Sequence, residues 1–335
     1  MWTERSLNIT TSRGCPGRCT FCGCNYQYND LYRRRSVDNV LAEIDMLVQK
    51  YDIDGISFLD DTFLMNTKWI EEFCEKLIPR KYKFIWSCYG RVDTANEKIL
   101  RACKRAGCVQ VELGIESGSD RMLKIMKKYT SRDKVRKCVE ITKDVGLRTV
   151  GSFIIGYPEE TPEDAMDTIG FMEEIKLNFV AMYYATPYPS TELYEQALKE
   201  DRIVEKDMNK WYVRSVGIMK TLMDTKTIMH YRQIFLKKAR LRNMSYFLLN
   251  PQFLFKLVFF ILKHMEAFGK SFKRALLDRS MDDLGYYFYT FTSNKEENRN
   301  LFPQDSIANI TRNKSDSTTP PTPPQKFEDA VLVTK

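Results

Sequence analysis

Two textures of apolar and polar positions alternate along the first two hundred residues. Short β-branched or aromatic runs fall at residues 7–11, 55–59, 84–89, 109–115, 149–155 and 179–185. Such runs, bounded by turn-forming residues, predict buried strands. Between them apolar residues recur at helical spacing, as in Val37, Val40, Leu41, Ile44 and Leu47. The same spacing marks residues 69–77, 97–106, 132–145 and 165–175. Ser36, Thr67 and Thr94 stand where helix caps are expected, and Gly107 and Gly146 stand just past two helix ends. Six strand–helix alternations read as parallel βα units. Six units in about 190 residues fall short of the roughly 250 that a full eight-unit barrel takes. The expected fold is α/β, a partial (β/α)6 TIM-like barrel, with a doubly wound sheet as the rival.

From residue 205 the pattern changes. Residues 205–292 read as helical and aromatic-rich, with Pro251 breaking a long run. The stretch 253–262 is apolar except for Lys256, and ten residues are too few to span a bilayer. Residues 316–324 read DSTTPPTPP, a composition that cannot bury enough apolar surface to order itself. The expected organisation is therefore a barrel over 1–204, a helical C-terminal domain over 205–292 and a disordered tail over 293–335.

Composition narrows the function. The chain has 335 residues, 43% of them hydrophobic, enough for a sizeable core. It carries 9 Cys, an odd number, which argues against a disulfide framework. With only His230 and His264, a site built from several histidines is ruled out. Residues 1–12 contain no apolar run of roughly 7–15 residues, so a reducing, cytoplasmic compartment is expected. Charge is uneven: residues 1–204 hold 30 basic against 31 acidic side chains, whereas 226–279 hold 12 against 2. Lys256, Lys263 and Lys270 recur every seven residues, on one helix face, amid apolar positions. That segment suits an anionic membrane surface, which would make the protein peripheral to the inner membrane face. No nucleic-acid recognition motif accompanies the charge, so no nucleic-acid partner is expected.

The sharpest feature is Cys15-Pro-Gly-Arg-Cys19-Thr-Phe-Cys22, directly after a predicted strand. Gly14 and Gly17 tolerate unusual backbone angles, so this loop can turn three thiolates toward one point. Thiolates suit zinc or an iron–sulfur cluster. Structural zinc wants four closed ligands, and Cys24 is the nearest fourth. A zinc knuckle that uses Cys24, or a non-enzymatic iron–sulfur module, are the competing readings. Cys74, Cys88, Cys103, Cys108 and Cys138 are scattered, as buried inert thiols are.

The CxxxCx-aromatic-C spacing resembles the signature of the radical S-adenosylmethionine (radical SAM) superfamily. The resemblance covers about residues 7–195. It implies that Cys15, Cys19 and Cys22 hold a [4Fe–4S] cluster whose open iron chelates SAM. Reductive SAM cleavage then gives a 5′-deoxyadenosyl radical that abstracts hydrogen from a substrate, with a reductant such as flavodoxin or ferredoxin as partner. It places Phe21 near the adenine, Asp60 and Asp61 at the SAM amino group, and Glu116 with Ser117 at the ribose. Arg91 could clamp a carboxylate. The Gly156-Tyr157-Pro158 turn would hold the adenine, and Pro187 resembles the last wall of the pocket. Cys24, beside the loop, is a candidate for a catalytic or radical-quenching role. These motifs fall one per strand end, where a parallel barrel gathers its ligand groups.

The wording Asp60-Asp61-Thr-Phe63, Arg91-Val-Asp93 and Gly114-Ile-Glu116-Ser-Gly-Ser119 resembles the cobalamin-associated branch typified by the magnesium-protoporphyrin monomethyl ester oxidative cyclase. That branch carries out methylation, cyclisation and oxidative tailoring of porphyrins, lipids and natural products. It usually has a cobalamin domain before the barrel, whereas 14 residues precede Cys15 here. Three readings stand: cobalamin on a separate chain, a lost module, or a fragment of a longer sequence. The alternative within the superfamily is a methylthiotransferase acting on tRNA or protein.

Overall fold

The computed structural model describes Thr3, residues 5–248 apart from Asp30, and scattered helical positions between 255 and 273. The expected tail over 293–335 lies outside the described residues. Two compact units divide the chain, Met1–Leu249 and Asn250–Lys335.

The first unit opens with β1 (Ser6–Ile9) and the two-residue β2 (Ser12–Arg13). The loop after β2 carries α1 (Cys24–Gln27) and returns as β3 (Arg33–Arg34), which pairs antiparallel with β2. There follow α2 (Val37–Tyr51), β4 (Gly55–Phe58), α3 (Thr67–Leu77), β5 (Ile85–Arg91), α4 (Glu97–Arg105) and β6 (Cys108–Glu116). Then come α5 (Asp120–Ile125), α6 (Arg132–Asp144), β7 (Arg148–Ile155), α7 (Pro162–Ile175), β8 (Phe179–Tyr184), α8 (Glu192–Lys199) and α9 (Thr225–Leu248).

Among the described residues, one sheet runs β1-β4-β5-β6-β7-β8, every pair parallel. Strand order follows chain order without reversal. A doubly wound sheet reverses direction at a switch point. Winding in one sense is the barrel's topology, and six strands make it partial. The rival is thereby excluded.

The register sorts the two faces. Ile9, Phe58, Cys88 and Val111 stand in one row and pack into the helix-covered core. Phe58 stacks on Phe63 at 4.7 Å and meets Trp86 and Phe73 edge-on at 5.3 and 5.6 Å. The neighbouring row faces the other way and reads Asn8, Ser57, Ser87, Gln110. Tyr89 and Glu112 follow one step further on that face.

Three local expectations shift. The caps of α3 and α4 are Asn66 and Asn96, not Thr67 and Thr94. Each Asn accepts from the backbone N–H three residues on, and Thr94 instead donates to the Arg91 carbonyl. Ser36 caps α2 as expected. The first compact unit also runs past 204, because Ile228, Phe235 and Ala239 of α9 are buried in its core and Phe235 meets Phe153 at 5.2 Å. Gly107 and Gly146 both take positive φ just beyond their helices.

Candidate active site

The cysteine loop leaves β2 and lies at the C-terminal end of the sheet. Gly14 enters it at φ +89°, where a Cβ would stand 1.9 Å from the Leu31 carbonyl oxygen, so only glycine fits. Thr20 pins the far side. Its N–H donates to the Met126 carbonyl (3.1 Å), its carbonyl accepts from Leu193 (2.9 Å), and its hydroxyl meets Tyr157 Oη at 2.5 Å. The loop is thereby tied to α5, to α8 and to the turn after β7.

Cys19 is buried, Cys15 half-buried and Cys22 exposed. Burial pushes the Cys19 thiol up, and Lys128 and Arg91 work in the other direction. Among the described residues no three His, Cys, Asp or Glu side chains stand close enough to hold a single metal ion. Sulfurs on one zinc sit ~3.8 Å apart, given its ~2.3 Å bonds. A four-iron cube puts each cysteine on a different iron and needs a wider spread. Three cysteines suit a four-iron cluster with one open iron, whereas a structural zinc site needs a fourth closed ligand. Cys24, buried at the start of α1, is held protonated by burial and by the Asp61 carboxylate beside it.

The acid pair after β4 divides its work. Asp60 is buried and accepts from Thr11 N–H (2.7 Å), Thr11 Oγ1 (2.8 Å), Ser12 Oγ (3.0 Å) and the Ser12 N–H. Four donors occupy it, so it braces the strand that carries the loop; contact with an added amino group is not left to it. Asp61 is exposed and accepts from the Gly14 N–H at 3.0 Å, with the Cys24 thiol beside it. Asp61 is the carboxylate placed to receive a cation.

Glu116 ends β6 at φ +71°, beside a register shift between Gly114 and Glu116. Such an irregularity re-aims a side chain. Its carboxylate meets Lys128 Nζ at 2.7 Å, and both side chains are less than 10% exposed. Lys128 also lies 6.0 Å from the Phe21 ring centre. Burial alone would lower the Lys128 pKa; the Glu116 carboxylate and the Cys19 thiol outweigh it and raise it. Lys128 was missed in the sequence because it sits in the charged string Lys127-Lys128-Tyr129, which looks like a solvated surface.

Ser117 departs from its expected role. It is buried, shares a hydrogen bond with Thr168 Oγ1 (3.1 Å) and accepts from Ser119 N–H (3.1 Å), tying β6 to α7. Arg91 departs as well: Nε and Nη2 grip Asp93 at 2.9 and 2.8 Å, so it is not free to clamp a second carboxylate with its fork. Gly156, at φ +83°, Tyr157 and Pro158 form the turn after β7. Gly156 N–H donates to Glu160 Oε2 at 2.6 Å. Glu160 is fully buried, its other oxygen has no hydrogen-bond partner, and burial pushes its pKa up to about 8. Phe21 packs against the buried cluster that contains Met122, Met126, Tyr157, Leu193 and Met219. Gly156 also lines a narrow cleft with Tyr184, Ala185, Gly217 and Met219. Pro187 is buried beyond the end of β8.

A sequence profile of the radical SAM superfamily matches residues 9–172. The chain carries a radical SAM domain. An uncharacterized methyltransferase of Pyrococcus horikoshii is 34% identical over 268 residues, covering 80% of this chain and 55% of that protein. The anaerobic magnesium-protoporphyrin IX monomethyl ester cyclase of Rubrivivax gelatinosus is 28% identical, covering 69% and 42%. The solved structure of the cobalamin-dependent radical SAM enzyme OxsB superposes with a TM-score of 0.58 at 16% identity, covering 86% of this chain and 58% of that one. At that identity the likeness is one of fold. The chain spans about half the length of the curated relatives it matches. The cofactors of the radical SAM superfamily are a [4Fe–4S] cluster and SAM, and the expected branch agrees with these relatives.

Proposed function

We propose that this radical SAM domain cleaves SAM reductively and uses the product for methylation, cyclisation or oxidative tailoring of an organic substrate. The observation that carries the proposal is the pinned loop of Cys15, Cys19 and Cys22 facing Asp61, the Glu116–Lys128 pair and the Gly156 turn, each from a different strand end. When bound, a three-cysteine [4Fe–4S] cluster supplies one electron and an open iron for SAM.

The protein's own residues bind and orient. Asp61 is the acceptor suited to the SAM amino group, and Lys128 is the buried cation suited to its carboxylate. Phe21, Tyr157 and Met219 offer an apolar wall for the adenine, and the Gly156 backbone can approach it closely because no Cβ intervenes. Glu116 is oriented by Lys128. The polar inner face of the sheet, from Tyr89 and Glu112 down to Ser57 and Ser87, lies below these groups along the same strands and gives a substrate polar contacts. Methyl transfer has support in the names of relatives, which include methyltransferases of phosphonate, hopanoid and bacteriochlorophyllide substrates. A reductant protein of the flavodoxin or ferredoxin type completes the scheme, and cobalamin would enter on another chain or segment.

The basic segment is read as a contact with an anionic membrane. The described helical positions Phe255, Val258, Phe259, Leu262 and Met265 recur at helix-face spacing and are 48–75% exposed. No helix among the described residues is long and apolar enough to cross a membrane. Co-sedimentation with phosphatidylserine vesicles tests this, and no pelleting at low salt would dismiss it.

The test of the main proposal is anaerobic reconstitution with iron and sulfide, then dithionite and SAM, with chromatography for 5′-deoxyadenosine. Its release is expected from the reconstituted protein. A protein that holds its full iron complement yet releases none would refute the proposal.

A further inference from the structure

Arg91 has five N–H groups in a rigid plane, and the fold divides them between two kinds of acceptor. Nε and Nη2 form a bidentate pair with Asp93 Oδ1 and Oδ2, at 2.9 and 2.8 Å. The remaining nitrogen, Nη1, stands 3.9 Å from Cys19 Sγ and 4.0 Å from Cys15 Sγ, within hydrogen-bond reach of sulfur. The Arg91 side chain is 10% exposed, so water does little to screen it.

The loop is shaped around this guanidinium. A Cβ on Gly17 would stand 2.1 Å from Arg91 Nη1. The glycine between the first two cysteines therefore leaves the space that Nη1 fills. Asp93 follows on the same turn, and Thr94 and Ala95 N–H groups both donate to the Arg91 carbonyl, fixing the backbone that carries the pair. Three separate features thus aim one cation at two of the three sulfurs: the carboxylate fork, the missing Cβ and the closed turn.

We infer that Arg91 sets the reduction potential of the cluster held by Cys15, Cys19 and Cys22, with Asp93 as its positioning residue. The inference rests on the cluster assignment above. Reduction adds one negative charge to the iron–sulfur unit, and much of that charge resides on sulfur. A fixed cation donating N–H to two of those sulfurs favours the reduced form. Lysine cannot reproduce this, because a single ammonium cannot hold Asp93 bidentately and reach both sulfurs with a planar fork. Asp93 also explains why Arg91 can stay charged in a buried place: its carboxylate offsets the cost of burial.

The experiment is an EPR-monitored redox titration of the reconstituted full chain, with iron counted in every sample. Arg91→Gln is expected to lower the ratio of reduced to oxidised cluster at fixed potential by about tenfold or more, equal to ~59 mV for one electron. Arg91→Lys should recover part of the loss. Asp93→Asn, which keeps the cation but loosens its aim, should fall between. Iron-loaded Arg91→Gln, Arg91→Lys and Asp93→Asn proteins that titrate together with the wild type would overturn the inference and leave the cluster assignment intact. If Arg91→Gln does not hold iron, the Arg91→Lys and Asp93→Asn titrations decide by the same criterion. A wild type that binds no cluster would remove the assignment and the inference together.

Discussion

The two faces of the sheet obey opposite rules. The helix-covered face is apolar row after row, with Ile9, Ile56, Phe58, Trp86, Val111 and Leu113 almost without exposure. The other face carries Asn8, Ser57, Ser87, Gln110, Tyr89 and Glu112, and Tyr89 is left 41% exposed. A closed eight-stranded barrel fills its interior with bulky branched side chains. Here six strands leave the interior unclosed and lined by small or polar residues, of which Asn8 and Tyr89 are exposed while Ser87 and Gln110 are buried. One face holds the fold together, and the other is left available for a ligand. The cysteine loop and the strand-end groups sit where that open face meets the C-terminal rim.

Substitutions on the two faces should therefore differ by an order of magnitude. Trp86→Ala empties a fully buried aromatic site and breaks the indole bond to the Ala106 carbonyl (2.8 Å). A loss of roughly 3–5 kcal/mol in denaturant titration is expected. Next comes Lys128→Met, which strands the Glu116 carboxylate in a buried place. It should cost about 3 kcal/mol, and adding Glu116→Gln should restore most of that, since the penalty lies in the unpaired charge. A deficit unchanged in the double variant would mean that the pair contributes by packing.

Glu160 gives a pH-dependent version. Its folded pKa, about 8, lies above its ordinary 4.5. Between those values the folded state holds a proton that the unfolded state has released, so stability falls as pH rises through that window. From pH 5.5 to 7.5 the wild type should lose about 2–3 kcal/mol relative to Glu160→Gln. Parallel stability curves for the two proteins would contradict this. The smallest effect belongs to the open face: Ser87→Ala, whose hydroxyl has only a 3.4 Å contact with Ser57, should stay within about 0.5 kcal/mol of the wild type. A loss above 2 kcal/mol there would mean that the inner face is a second core.

Most of the fold was legible because its elements are long and periodic. All six strands fall within a residue or two of where the β-branched and aromatic runs lie, since parallel strands buried by helices read as apolar runs. The hairpin of β2 and β3 carried no such run; its pairing, Ser12 with Arg34 and Arg13 with Arg33, involves polar residues alone. The helix caps were placed one and two residues off because Thr and Asn compete for the same position, and the choice depends on which backbone N–H each reaches. The loop cysteines were legible from spacing. Lys128, the division of work between Asp60 and Asp61, and the Arg91–sulfur contacts were not. The Asp60, Asp61 and Arg91–sulfur contacts span 47 to 76 residues of chain and the Lys128–Glu116 pair spans 12, and no local pattern encodes them.

The most direct measurement is iron content and the EPR signal of the reduced, reconstituted protein for Cys15→Ala, Cys19→Ala, Cys22→Ala and Cys24→Ala, side by side. The first three should each lose the four-iron signal, whereas Cys24→Ala should keep it, its thiol being turned to Asp61. A four-iron signal that survives Cys19→Ala, or one that vanishes with Cys24→Ala alone, would contradict the account.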